Sequence, residues 1–295
     1  MNRLSIDLPD GTLSALRFGE AKTPLRLIFC HANGFNAQSY RAVLEPLLDD
    51  TDGHILALDL RGHGRTNLPT DADALDGWQV FADDIAAVFD AVADRPVVLA
   101  GHSYGAVSAL LSLPQIRGQV SGYVGFDPVL VPWVARQVAR SKAGRAMMKR
   151  RLPIARQAGQ RRAVFESLDA AFARYQDRGA FRGVPDAVLR DYLEGGLLPT
   201  RDGRLRLACD PSWEQAIFVA QAHDLFRRVP LLPDNSRIVF AGAHGAVSTK
   251  SQRAALGRRQ PGIAVDYRDD LTHLFPLQDT RFATDVLRGV LERAR

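Results

Sequence analysis

Cysteine is nearly missing from this chain. Cys30 and Cys209 stand alone, too few for a disulfide framework and without metal-site spacing, so a reducing cytoplasm is the expected setting. Cys30 lies in an apolar run that reads as a core strand, where it is expected to pack as a small hydrophobe. Equally lacking is an apolar run of membrane-spanning length, and Met1 to Leu8 alternates apolar with polar residues instead of forming a leader. Stable membrane insertion is therefore not expected. No internal repeat, low-complexity segment or nucleic-acid-binding motif is present, and neither a metal nor a cofactor is expected. What remains is an ordinary globular composition of 295 residues, 46% hydrophobic and 24% charged, with ample core for one large domain carrying an insertion.

Strand and helix signals alternate along the chain with one long interruption. Leu4 to Leu8 and Leu13 to Phe18 flank Pro9-Asp10-Gly11, a hairpin signal. Leu25 to Cys30, His54 to Leu60, Pro96 to Ala100 and Val120 to Phe126 read as further strands. Between the second and third of these, Trp78, Phe81, Ile85, Val88, Phe89 and Val92 recur at helical spacing. From about Pro132 to Pro230 the chain reads as short helices broken by Pro and Gly, with no convincing strand. Alternation resumes with strands at Arg237 to Ala241 and Gly262 to Tyr267 and a helix after Asp279. Repeated strand-helix units predict an α/β fold with a mostly parallel, doubly wound sheet. The expected division is a core of 1–131 and 231–295 with a helical cap of 132–230 above the carboxyl ends of the strands.

The segment Gly101-His102-Ser103-Tyr104-Gly105 carries the most chemistry. It joins an apolar strand to a helix of small and apolar residues, the order a nucleophile elbow requires. A serine on so tight a turn is pushed above the sheet, and side chains at the flanking glycines would collide with the strand or the helix. The helix that follows directs its partial positive end at any oxyanion formed there.

Around this elbow the chain resembles an α/β-hydrolase with a helical cap, of the serine esterase and lipase kind. Leu27 to Gly34, ending His31-Ala32-Asn33-Gly34, is similar to that family's strand and oxyanion loop, although Ala32 stands where the family usually has Gly. Asp59-Leu60-Arg61-Gly62-His63-Gly64 resembles its Asp-x-Arg-Gly-x-Gly stretch, and Thr272-His273-Leu274-Phe275-Pro276 its late histidine segment. The resemblance implies Ser103 as nucleophile, His273 as general base, and the backbone N–H groups of Asn33 and Tyr104 as the oxyanion hole. The Asn33 side chain could add a donor or cap its own turn.

Histidine needs sorting, since seven are present. His31 and His63 are expected to order loops, His102 to point away from Ser103, and His54 to open a strand. His223 falls in the cap, which leaves His244 as the rival to His273. The triad acid departs from the commoner pattern, because Gly242-Ala243-His244-Gly245 holds no carboxylate where the family most often has Asp. The family's other arrangement places the acid at the end of the strand after the elbow helix, and there this chain has Asp127. Asp127 is therefore the expected triad acid, although an Asp at that strand end can also serve only as a turn cap, which would leave a Ser-His dyad.

Ser at the elbow excludes the alkyl-ester chemistry of haloalkane dehalogenases and epoxide hydrolases, which need Asp there. The expected activity is hydrolysis of a small or medium-chain carboxylic ester, thioester or lactone, a small-molecule acyl substrate. The alternatives are a lyase or ligand-binding protein that forms no acyl-enzyme, and a carbon-carbon bond hydrolase. Oligomeric state is left open. Arg136 to Arg162 holds ten Lys or Arg and no Asp or Glu, against a net charge of +5 for the whole chain. Such a run reads either as a solvated face or as an attractor of anionic substrates, a phosphate-bearing carrier such as coenzyme A, or a membrane surface.

Overall fold

The computed structural model describes residues 1–242 and 248–294. His244 and Gly245 lie outside them. The N-terminal hairpin forms as the sequence predicts: β1 (Asn2–Leu8) pairs antiparallel with β2 (Gly11–Phe18). Then follow β3 (Leu25–Cys30), α1 (Arg41–Leu44), β4 (His54–Leu58), α2 (Gln79–Val92), β5 (Val97–His102), α3 (Tyr104–Ile116) and β6 (Val120–Phe126). After an insert come β10 (Ser236–Ala241), α10 (Lys250–Arg259), β11 (Ala264–Arg268), α11 (Phe275–Gln278) and α12 (Thr280–Arg293). One sheet runs β1-β2-β4-β3-β5-β6-β10-β11, parallel from β4 to β11. All six residues of β5 are buried, as expected of a central parallel strand covered on both faces.

The turn after β4 shows how a short motif becomes a junction. Asp59, fully buried, accepts from Arg3 Nη1 (2.6 Å), Ser14 Oγ (3.0 Å) and the N–H groups of Ala37 (2.9 Å) and Arg65 (3.1 Å). Arg61 grips Asp84 of α2 with two bonds of 2.9 and 2.7 Å. Gly64, at φ +55°, passes so close that a Cβ would lie 2.1 Å from the Asp59 carboxyl carbon. The motif therefore clamps the first two strands and the loop after β3 to the strand end where a ligand would sit.

Between β6 and β10 lie α4 (Trp133–Ala139), α5 (Lys142–Arg151), α6 (Pro153–Gly159), α7 (Leu168–Tyr175), α8 (Asp186–Gly196) and α9 (Pro211–Val219). A small antiparallel sheet joins them, with β9 (Leu205–Leu207) between β7 (Val164–Phe165) and β8 (Leu197–Pro199). No strand was expected there, and the reason is length: segments of two or three residues cannot display an alternation. This insert is tied to loops at the carboxyl ends of β3 and β4. Trp213 Nε1 donates to the Arg61 carbonyl (3.0 Å), Asn36 Nδ2 to the Tyr192 carbonyl (2.9 Å), and Arg41 Nε to Asp191 (2.9 Å).

Candidate active site

Ser103 sits between β5 and α3 with φ 54° and ψ −118°, outside the regions that L-residues favour. The two flanking glycines make the strained turn possible. A Cβ on Gly105 would lie 2.3 Å from the carbonyl oxygens of both Cys30 and His31, and one on Gly101 would lie 2.6 Å from the Ala106 nitrogen. The Ser103 N–H donates to the Phe126 carbonyl (2.8 Å), which fixes the turn against β6.

Three side chains from distant parts of the chain meet at this turn. Ser103 Oγ lies 2.8 Å from His273 Nε2, and His273 Nδ1 lies 2.6 Å from Asp127 Oδ2. Asp127 is fully buried at the end of β6, with φ 42°. Its own N–H donates to Val239 (2.7 Å) and its Oδ1 accepts from the Ala241 N–H (3.2 Å), so the end of β10 aims the carboxylate at the imidazole. With the carboxylate accepting at Nδ1–H, Nε2 is left free to take the serine proton.

The loop after β3 is a tight turn, closed by the Phe35 N–H on the Ala32 carbonyl (3.0 Å), with Gly34 at φ +78°. Two of its N–H groups are engaged: Ala32 donates to Tyr40 Oη (3.2 Å) and Gly34 to His63 Nε2 (3.0 Å). Among the described residues the Asn33 N–H has no acceptor, and neither does the N–H of Tyr104, the first residue of α3. His31 completes the frame, accepting from the Leu60 N–H at Nε2 (2.9 Å) and donating from Nδ1 to Ala32 (2.8 Å). Burial lowers His31 to about 4 and His63 to about 3, so both stay neutral and keep their acceptor nitrogens at pH 7.

Three features were not legible in the sequence. The Asn33 amide neither caps its turn nor stays free, but donates to the Glu214 carbonyl of α9 (3.0 Å). Glu214 in turn pairs with Arg161 (2.5 Å), which also donates to Tyr175 Oη (3.1 Å) and Tyr192 Oη (2.5 Å). Arg161 belongs to the basic run yet is turned inward, a distinction that requires knowing how the insert packs. Finally, His102 points away from Ser103, as expected, but reaches the backbone of the other site histidine. Its Nδ1 lies 2.6 Å from Tyr40 Oη, and its Nε2 lies 2.8 Å from the His273 carbonyl.

A strained serine between strand and helix, beneath a helical insert on a mostly parallel sheet, defines the α/β-hydrolase fold. The chain belongs to the alpha/beta hydrolase family, whose model matches residues 27–286. It is 28% identical over 204 residues to 2-(acetamidomethylene)succinate hydrolase of Mesorhizobium japonicum, covering 68% of this chain and 63% of that one. Protein phosphatase methylesterase 1 of Schizosaccharomyces pombe is 30% identical over 134 residues, covering 43% of this chain and 35% of the relative. The matches thus span less than two thirds of each relative's length. The crystal structure of E-2-(acetamidomethylene)succinate hydrolase superposes with a TM-score of 0.74 at 23% identity, over 99% of both chains.

Proposed function

We propose that this protein is a serine hydrolase that cleaves a carboxylic ester, thioester or lactone through an acyl-enzyme on Ser103. The observation that carries the proposal is the continuous chain Asp127–His273–Ser103, with separations of 2.6 and 2.8 Å. Residues 132–230 act as its cap. In the first half-reaction His273 Nε2 takes the Ser103 proton as Oγ attacks the substrate carbonyl carbon. The tetrahedral oxyanion is held by the N–H groups of Asn33 and Tyr104, and Asp127 stabilises the imidazolium. Collapse expels the alcohol or thiol, protonated by His273, and leaves the acyl group on Oγ. Water then attacks, again through His273, and the acid departs.

The buried carboxylate speaks for this over a ligand-binding or lyase role. A fully buried Asp127 aligned on imidazole Nδ1 has its clearest use when that ring becomes charged, as it does in acyl transfer. The methylesterase similarity supports ester chemistry, while the similarity to 2-(acetamidomethylene)succinate hydrolase keeps other carbonyl substrates within reach. A fluorophosphonate probe tests the assignment directly. Stoichiometric labelling that is lost in Ser103→Ala, together with turnover of p-nitrophenyl esters, is expected. Absence of labelling in the folded wild-type protein would remove the acyl-enzyme.

A further inference from the structure

Among the described residues six large apolar side chains are exposed, and four of them fall in one short stretch: Trp133 (64%), Val134 (65%), Met147 (44%) and Ile154 (47%). This is also the stretch that holds no acidic residue. Its middle helix, α5, buries none of its residues, and α4 buries only Ala139. A helix gains most of its stability by packing an apolar face, so one with no buried residue is short of a partner. Lys142, Arg150, Arg151 and Arg156 have no carboxylate partner among the described residues. Beside α4 a cavity of about 520 Å³ opens between Trp133, Arg136, Arg140, Arg227 and Arg228, with Asp224 as its one carboxylate.

We infer that the outer face of α4, α5 and α6 docks on an anionic lipid surface. Trp133, Val134, Met147 and Ile154 enter the interfacial layer, the surrounding Lys and Arg pair with lipid phosphates, and the arginine-lined cavity receives a headgroup. The two sets of residues together select this partner. A soluble phosphate compound would account for the arginines but leave the apolar side chains in water. A second copy meeting the same face would set one acid-free basic run against another. A lipid surface with negative headgroups answers both, and the binding is peripheral, since among the described residues no helix is long and apolar enough to cross a membrane. The inference does not rest on the ester proposal, because docking is measured without turnover.

The tryptophans supply the readout. Trp78 and Trp213 are 2% and 4% exposed, with both indole N–H groups bonded to backbone carbonyls, and because Trp78 also lines the cavity, the part of an emission change that belongs to Trp133 is the part lost in Trp133→Phe. The full-length protein is mixed with vesicles of phosphatidylcholine, with and without phosphatidylglycerol, and followed by co-sedimentation and fluorescence. Binding is expected only with phosphatidylglycerol, with a blue shift, and weakening as salt is added. Replacing Arg150, Arg151 and Arg156 together by Gln should lower partitioning by about a hundredfold, at about 1 kcal/mol per charge. Trp133→Ser should lower it about tenfold, and Trp133→Phe should keep binding but lose the shift. Failure to bind phosphatidylglycerol vesicles at low salt would overturn the inference. So would binding that Trp133→Ser leaves unchanged, or displacement from vesicles by inorganic pyrophosphate too dilute to screen charge, which would assign the cavity to a soluble anion.

Discussion

His102 holds His273 by its backbone. The His102 Nε2–H donates to the His273 carbonyl at 2.8 Å, while Tyr40 O–H donates to His102 Nδ1 at 2.6 Å and itself accepts from the Ala32 N–H at 3.2 Å. All three donor residues are buried, and burial keeps the His102 imidazole neutral, well below its ordinary value. A single hydrogen-bonded chain thus runs from the loop before Asn33 to the loop that carries His273. Only one tautomer satisfies it, with the proton on Nε2.

Breaking this chain should misplace His273 without touching substrate. Tyr40→Phe is expected to lower kcat about tenfold with little change in KM, and to cost about 1–3 kcal/mol of stability for the unmet partners. Steady-state kinetics alongside denaturant unfolding would check both. An unaltered kcat in a destabilised variant would restrict Tyr40 and His102 to a folding role.

The acid is tested by Asp127→Asn. Its carboxylate is the group at 2.6 Å from His273 Nδ1, so kcat should fall by about three to four orders of magnitude while KM stays close to wild type. His244→Ala, at the rival base position in the sequence, should do far less. A variant that kept a tenth or more of wild-type kcat would leave a Ser-His dyad.

The Arg161–Glu214 pair should brace the part of the insert whose backbone receives the Asn33 amide. Burial pushes the Glu214 carboxyl up, and Arg161 opposes that rise. Both side chains are less than a fifth exposed, so Arg161→Met, which strands the carboxylate, should cost about 3 kcal/mol. Arg161→Met combined with Glu214→Gln should recover part of it. Thermal unfolding of the two single variants and the double variant gives the coupling, and strict additivity would show that no such pair operates in solution.

Acid should destabilise the fold through its buried histidines. His31, His63 and His223 are lowered by burial to about 4, 3 and 4. Their unfolded forms titrate near 6.5, so above that pH both states are neutral and the full stability is present. As pH falls below about 6.5 the unfolded chain takes up protons first. Stability then drops until the folded values are reached, by up to about 1.4 kcal/mol per pH unit for each ring. Unfolding free energies from urea titrations between pH 7.5 and 4.5 should fall with a slope of about two to three protons. A flat profile over that range would mean that these rings are not buried neutral in the folded protein.

Much of this arrangement could be read along the chain, because local physics writes it there. The strands at Leu25 to Cys30 and Val120 to Phe126 match the structure residue for residue, since short apolar runs bounded by turn residues have few other uses. The elbow was visible because its glycines answer contacts within a few residues or with the adjacent strand. Less was legible in the insert, where β7, β8 and β9 are too short to show a period and where the basic run mixes outward-facing Arg150 with inward-facing Arg161.

The sequence by itself determined the fold class, the serine on its strained turn and the list of residues able to serve it, because each depends on neighbours close in the chain or on a stretch resembling the family's own. Only the tertiary structure decided which of them meet. Asp127 and His273 are 146 positions apart, and nothing local tells a carboxylate that caps a turn from one that aims at an imidazole. The same holds for Tyr40 and His102, for Asn33 and Glu214, and for the apolar side chains of α4 to α6, whose exposure is settled by what fails to pack against them. Such relations are set by the closing of the sheet and the seating of the insert between β6 and β10 against it, where side chains remote in sequence compete for the same few buried polar partners.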